Sequence, residues 1–267
     1  MNNESINNQN PYAKKSYAWY MVLLMTMAYM FSFIDRYILG LLIDPIKADL
    51  GLSDTQMGLL LGPAFAIFYA TMGLPLGYLA DRVKRVSIVS IGIFIWSLAT
   101  VASGFAQKFS HLFLARMTVG IGEATLSPCA LSMITDSFPE KNRGRPIGFY
   151  TMGMSFGPAI AYLSGAAVLI WSQSIDSIQI PLIGDIAPWQ LAFILVGFPG
   201  ILLAIFVYFL KEPPRKIDPN LENEEKPTIV EALKYFYSKA GAMCSFILPA
   251  CVMTVIAYSQ AWLAPMF

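Results

Sequence analysis

An all-α protein that crosses a membrane six times and begins a seventh helix is the fold class this sequence predicts. Three observations carry that expectation. Of 267 residues, 56% are hydrophobic and 13% are charged, against about 25% charged in an ordinary soluble domain, and the mean hydropathy is +0.57. Six apolar runs each approach the ~20 residues that carry a helix across the hydrocarbon layer. The basic residues gather on alternate connections between those runs.

The opening stretch, MNNESINNQNPYAKKSYAWY, is polar. It lacks the apolar core and cleavage site of a signal peptide, so residues 1–16 read as a cytoplasmic tail and the first apolar run as a retained span. The predicted spans are residues 19–42, 55–79, 86–106, 110–134, 146–171 and 189–210. Ser53, Ser110 and Pro188 suit helix starts: a hydroxyl accepts an orphan amide N–H, and a proline at the first position forgoes none. Residues 17–210 thus make a six-helix bundle. Residues 211–227, KEPPRKIDPNLENEEKP, mix proline with both signs of charge and read as a solvated linker. A short amphipathic piece, TIVEALKYFYSKA, completes a central cytoplasmic region over 211–240. Residues 241–267 read as the truncated start of a second bundle.

Orientation follows from lysine and arginine. Lys14, Lys15, Arg82, Lys84, Arg85, Lys141, Arg143, Arg145 and every basic residue from Lys211 onward fall on one side, and only Lys47 and Lys108 on the other. This places the amino terminus in the cytoplasm, and the membrane is read as a bacterial inner membrane. A net charge of +1 gives no reason for a nucleic-acid partner. Cys129, Cys244 and Cys251 lie in apolar surroundings without ligand spacing and read as small hydrophobes. With one histidine, His111, no zinc site is expected, nor any other metal or cofactor. A membrane-embedded enzyme would need a nucleophile with its base or a metal cluster inside the spans, and no such motif stands there.

Glycine and proline suggest how the spans pack. Gly58-x3-Gly62, Gly73-x3-Gly77 and Gly153-x3-Gly157 offer faces on which helix backbones approach closely. Pro63, Pro75, Pro128 and Pro158 each remove a backbone hydrogen bond and permit a bend. Such a bundle is either statically kinked or built to rock.

Four charges sit inside spans. FSFIDRYILG holds Asp35 and Arg36, and the fourth span holds Arg116 and Glu123. Counted at 1.5 Å per residue, Asp35, Arg36 and Arg116 share a layer roughly 10 Å below the outer surface, with Glu123 about 10 Å deeper on the face of Arg116. Gly120 and Gly122 leave space beside them. Ionisable groups inside a membrane mark transport paths or proton relays; a mutually neutralising structural network is the alternative. Glu123, two turns from Arg116 and without a tight partner, is the expected proton carrier, with Asp35 beside it. Arginine keeps its proton, so Arg36 and Arg116, with Tyr37 next in the chain, are assigned to substrate. At the cytoplasmic turn GYLADRVKR, Gly77, Asp81, Arg82 and Arg85 read as a conformational latch in which a carboxylate meets helix dipoles and arginine forks.

These residues resemble a family. GYLADRVKRVSI resembles the loop signature of the major facilitator superfamily, Gly-x-Leu-Ala-Asp-Arg-x-Gly-Arg-Arg, with Lys84 at the usual glycine and Val86 at a frequently basic position. RMTVGIGEA resembles the fourth-helix Arg-x-x-x-Gly-x-Gly. GMSFGPAIAY resembles the fifth-helix motif ending Gly-Pro-x-x-Gly-Gly, which makes Gly153, Gly157 and Pro158 a packing and hinge group beside Gly120 and Gly122; Ala161 and Tyr162 replace its last glycines, so it does not argue for antiport. APWQLAF resembles the Trp-Arg-x-x-Phe entry to helix six, with Gln190 replacing the arginine. Asp-Arg-Tyr in span one with GIGEA in span four looks most like the spinster-like branch, whose members are linked to lysolipid and sphingolipid export. The resemblance implies the amino-terminal half of a proton-linked transporter working by alternating access between two halves, with protons, an amphipathic or anionic small molecule and the missing second half as partners. An uncoupled facilitator of small organic anions is the runner-up. A receptor or scaffold is a distant third, having no use for intramembrane charge.

Overall fold

The computed structural model describes residues 14–172, 178–180, 184–215, 229–241 and 244–245. The chain divides into two compact units, Met1–Lys216 and Ile217–Phe267. Five helical runs among the described residues are long and apolar enough to cross a membrane: Lys15–Leu41, Asp54–Ala80, Arg85–Ser103, Phe109–Ser137 and Pro188–Tyr208. The predicted fifth span is also helical, as a short entry helix followed by a 20-residue helix, Gly153–Ser172.

The first span is α1 (Lys15–Leu41). The chain turns at Leu42 and continues as α2 (Ile43–Leu50), closed by Gly51 in the left-handed conformation that glycine adopts without steric penalty. The second span is two helices, α3 (Asp54–Leu61) and α4 (Pro63–Ala80). Ser53 caps α3 reciprocally with Gln56. The interruption falls at Gly62 because the residue before a proline is pushed out of helical geometry. The third span is α5 (Arg85–Ser103). The fourth is α6 (Phe109–Glu123) and α7 (Leu126–Ser137), parted at Ala124 and Thr125. Pro128 has no N–H to offer the Ala124 carbonyl, which accounts for the break. This span starts one residue before Ser110, and Lys108 occupies the cap position.

A short 3-10 turn (Glu140–Asn142) leads to α8 (Gly144–Thr151) and α9 (Gly153–Ser172). The connection beyond holds an antiparallel pair of three-residue strands, β1 (Ile178–Ile180) and β2 (Gly184–Ile186), where sequence predicted only a loop. The last span is α10 (Pro188–Tyr208), with Pro188 at its first turn and the Gln190 side chain accepting from the Ala187 N–H. In the second unit the amphipathic stretch forms α11 (Ile229–Ser238). The expected truncated helix over 241–267 lies almost wholly outside the described residues.

In the first unit α5 packs against α10 and α6, α1 against α9 and α10, and α4 against α6. Two apolar clusters result. One holds Met21, Met25, Trp96, Met133 and Tyr150 toward the amino-terminal side. The other holds Ile38, Leu39, Met57, Trp189 and Phe193 toward the far side. Along α1 the charged pair 35–36 falls between them.

Glycine contacts differ from the expectation. A Cβ at Gly153 would stand 2.9 Å from the Thr26 carbonyl oxygen, and one at Gly157 2.7 Å from that of Met30, so these two let α9 meet α1. Gly120 does not border open space: its Cβ would lie 2.6 Å from the Phe65 carbonyl of α4. At Gly122 it would lie 2.9 Å from the Gly92 carbonyl of α5. The second-span glycines were expected at close contacts, yet Gly58, Gly73 and Gly77 have nothing within 4 Å. The reason is that α4 meets its neighbour α6 through Phe65 and Tyr69 rather than through its glycine rows.

Gly122→Ala is therefore expected to lower stability by about 1–3 kcal/mol through overpacking, whereas Gly73→Ala, with open space around it, loses none. Thermal unfolding of the purified protein in detergent checks this, and equal shifts would contradict the packing.

Candidate functional site

Asp35 and Arg36 are consecutive on α1, so their side chains leave the helix about 100° apart. They take different partners on α6. Asp35, 2% exposed, accepts from the Thr100 hydroxyl of α5. Arg116 Nη1 lies 3.4 Å from Asp35 Oδ1 and 3.1 Å from the Asp35 backbone carbonyl. Arg36 turns to Glu123: its Nε and Nη2 donate to Glu123 Oε2 at 2.8 and 2.6 Å. The Ser32 hydroxyl, one turn earlier on α1, donates to the same oxygen at 2.6 Å. Three donors thus converge on one carboxylate oxygen. Glu123 Oε1 and the Nε and Nη2 of Arg116 are buried without a protein hydrogen-bond partner among the described residues.

The four sequence-predicted charges therefore meet, as two crossed ion pairs. The arrangement corrects two expectations. Glu123 has a tight partner, Arg36, and it is not a layer apart from the α1 charges. Depth counted on backbone positions omits the direction of helical side chains, which lean toward the helix amino terminus. Arg36 leans back along α1 past Ser32 and so reaches Glu123. Arg116, on a helix running the other way, leans outward to Asp35.

Aromatic rings enclose the inner pair. The Arg36 guanidinium lies 4.6 Å from the Phe65 ring centre and 5.0 Å from those of Phe33 and Tyr69, within cation–π range. Its side chain keeps 22% exposure, while that of Glu123 has none. Tyr37 continues the row, stacked near Phe33 and close to Tyr162 of α9. Arg116 faces Phe193 of α10 at 5.5 Å. A cavity of about 10 Å³ adjoins Asp35, Ser97 and Thr100, room for about one water.

At the opposite end of α5 the predicted latch residues part company. Arg85 is 1% exposed. Its Nε donates to Glu212 Oε1 at 2.8 Å and its Nη1 to Ser132 Oγ at 2.7 Å, with Asp136 of α7 also accepting. Its Nη2 reaches the Pro213 carbonyl at 2.9 Å. Glu212 in turn accepts the Val86 amide N–H at 3.0 Å. Arg215 closes the end of α4: its Nη2 donates to the carbonyls of Ala80 and Val83 at 2.7 and 2.6 Å, and its Nη1 to that of Asp81. Arg82 lies over Tyr78 at 4.2 Å, and Gly77 borders open space. Glu212, Pro213 and Arg215 are consequently docked, with Lys211 and Pro214 exposed between them, which corrects the reading of the start of the linker as wholly solvated.

Sequence reasoning missed Ser32, Thr100, Phe65, Tyr69, Asp136, Glu212 and Arg215. Ser32 had a usable signal, standing four residues before Arg36 on one helical face. The others are brought in by tertiary packing.

A sequence profile described as Major Facilitator Superfamily matches residues 25–267. The probable L-galactonate transporter of Escherichia coli is 34% identical over 71% of this chain and 38% of its own length. Protein spinster homolog 1 of Xenopus tropicalis is 31% identical over 91% of the chain and 44% of its own length. Among solved structures, a bacterial homolog to the human lysosomal transporter Spinster, inward-facing and unoccupied, superposes with a TM-score of 0.71 at 38% identity, over 85% of this chain and 50% of that one. The likeness to spinster proteins noted in spans one and four thus extends along the chain. The chain spans about half the length of these relatives or less.

Removing one partner of a buried pair leaves an uncompensated charge, at about 3–5 kcal/mol. Arg36→Gln is expected to destabilise by that order, and Arg36→Gln with Glu123→Gln to recover much of it. A double-mutant cycle by thermal or denaturant unfolding checks the coupling; strictly additive single effects would contradict it.

Proposed function

The chain belongs to the Major Facilitator Superfamily, and from that premise we propose that it supplies the amino-terminal half of a proton-coupled secondary transporter that works by alternating access. Its cargo is an anionic or amphipathic small molecule. The observation that carries this reading is the Arg36–Glu123 pair, in which a partly exposed guanidinium is held by a fully buried carboxylate. Such an arginine is a switchable anion site. While Glu123 is ionised it occupies Arg36. A proton on Glu123 removes the negative charge, and Oε1, buried and without a hydrogen-bond partner among the described residues, is the oxygen left to take it. Arg36 is then available to a carboxylate or phosphate of the cargo. Asp35 and Arg116 form the companion pair, with Thr100 fixing the Asp35 carboxylate. Tyr37, at the edge of the aromatic row, is assigned to the cargo's path.

The runner-up, an uncoupled facilitator of small organic anions, has one observation in its favour: several relatives are named for sugar acids, among them L-galactonate, D-galactonate and hexuronate transporters. Those names supply the polar, sugar-acid end of the proposed cargo class; its amphipathic end rests on the resemblance of spans one and four to the spinster-like branch. The membrane is read as the bacterial inner membrane with the amino terminus inside, from the distribution of basic residues.

At the cytoplasmic end we assign a latch to the group centred on Arg85, with Asp136 and Glu212 as its counter-charges and Arg215 over the Asp81 turn. These contacts tie α5, α7 and the segment after α10 to one another. Their rupture would accompany the change of state.

In proteoliposomes of the full-length protein, Glu123→Gln is expected to abolish uptake of galactonate or lysophospholipid driven by a pH gradient, while exchange without a gradient persists. Unchanged gradient dependence would refute Glu123 as the proton carrier, and uptake by the unaltered protein that ignores the gradient would leave the facilitator. Asp81→Ala and Arg85→Ala are expected to shift cysteine-labelling accessibility between the two sides. No change in either variant would refute the latch.

A further inference from the structure

A groove of about 460 Å³ runs between α5 and α6, away from both ion pairs. We propose that it seats one acyl chain of a phospholipid from the leaflet opposite the amino terminus, with the lipid's phosphate at the start of α6. The walls are apolar and outward-facing: Ile95, Leu98, Phe105 and Leu114 line it at 37–58% exposure, with Ala102 between them. Its length identifies the occupant. From Ile95 to the end of α5 at Ser103 is eight residues of helical rise, with Phe105 in the turn beyond; at 1.5 Å each this is about 12 Å, close to half of the ~30 Å hydrocarbon layer. That is the depth of one leaflet, short of what a membrane-spanning partner helix would fill.

The polar end of the groove identifies the headgroup. His111 is the one ionisable residue among the lining side chains. Its Nδ1 accepts the Gln107 backbone N–H at 3.4 Å, which leaves the ring hydrogen on Nε2 as a donor. Exposed Lys108 stands at the cap of α6, and the amide groups of the first turn add the positive end of a helix dipole. Donors and positive charge at one end of an apolar furrow complement a phosphodiester above an acyl tail. A neutral lipid would leave that end unanswered. Unlike the proposed cargo path, this site faces lipid and needs no change of state.

The test is native mass spectrometry of the full-length protein released from detergent, with palmitoyl-oleoyl phosphatidylglycerol or the matching diacylglycerol added. One phosphatidylglycerol is expected to remain bound, with about tenfold weaker retention when Lys108→Ala and His111→Ala remove the headgroup donors. Leu114→Trp and Ala102→Phe, which fill the furrow from either wall, are expected to abolish retention, while Leu163→Trp on exposed α9 leaves it intact. Size-exclusion profiles and melting temperatures confirm folding, and two independent filling variants guard against loss of either. Equal retention of diacylglycerol, retention unchanged in a folded filling variant or in the Lys108/His111 variant, or a lipid-free dimer occupying this face would each overturn the proposal.

Discussion

Charge buried in hydrocarbon must be answered locally, and the first six spans are arranged around that demand. On insertion scales a charged side chain at mid-membrane costs about 2.5–3.5 kcal/mol, and this bundle carries Asp35, Arg36, Arg116 and Glu123. Asp35, Arg116 and Glu123 are buried, and of the four only Arg36 keeps partial exposure. Crossed pairing of two adjacent residues on α1 with two residues one heptad apart on α6 fixes the register of those helices. A slip of one residue on either would break both pairs together. Buried ion pairs are poor sources of net stability, because desolvation consumes the Coulombic gain. Their effect here is specificity of register. Packing supplies the cohesion, through apolar clusters on either side of the charged layer.

The contacts around α6 follow from the same demand. Gly120 and Gly122 let it approach the backbones of α4 and α5. That approach carries the Phe65 and Tyr69 rings to the Arg36 guanidinium and Thr100 to Asp35. Immediately after Glu123 the helix parts at Ala124 and Thr125, so the carboxylate stands at a joint rather than in the middle of a rigid rod. The network around Arg85 uses the same chemistry in a different setting. There Arg85 holds the Glu212 and Asp136 carboxylates and the Pro213 carbonyl, Glu212 answers an orphan N–H at the start of α5, and Arg215 answers carbonyls at and just beyond the end of α4.

Much of this was legible in the sequence because the bilayer restricts the options. Backbone polar groups in lipid must be satisfied within the segment, so an apolar run of sufficient length is a helix, and the six spans were found within a few residues. Charges inside such runs are conspicuous, and all four fell into one site. What sequence reasoning lacked was side-chain direction: Glu123 looked solitary because Arg36 was placed at its Cα depth and not at its guanidinium. The glycine rows of span two read as contact faces because spacing cannot say whether a neighbour is present. Glu212 and Arg215 sat in a stretch whose composition resembles a linker, and only their meeting with α5 and the end of α4 distinguishes them. Breaks at Gly62 and Ala124 followed from the prolines, although the position of each break depends on local geometry.

The partners in this bundle are far apart in order of appearance. Arg36 precedes Glu123 by 87 residues, and Arg85 precedes Glu212 by 127. At a synthesis rate of 5–20 residues per second, those separations correspond to roughly 4–17 and 6–25 seconds. For that interval Asp35 and Arg36 lack their partners on α6. The pairs of α1 close only once the fourth span has been made, and the Arg85 network only once the chain has passed the sixth.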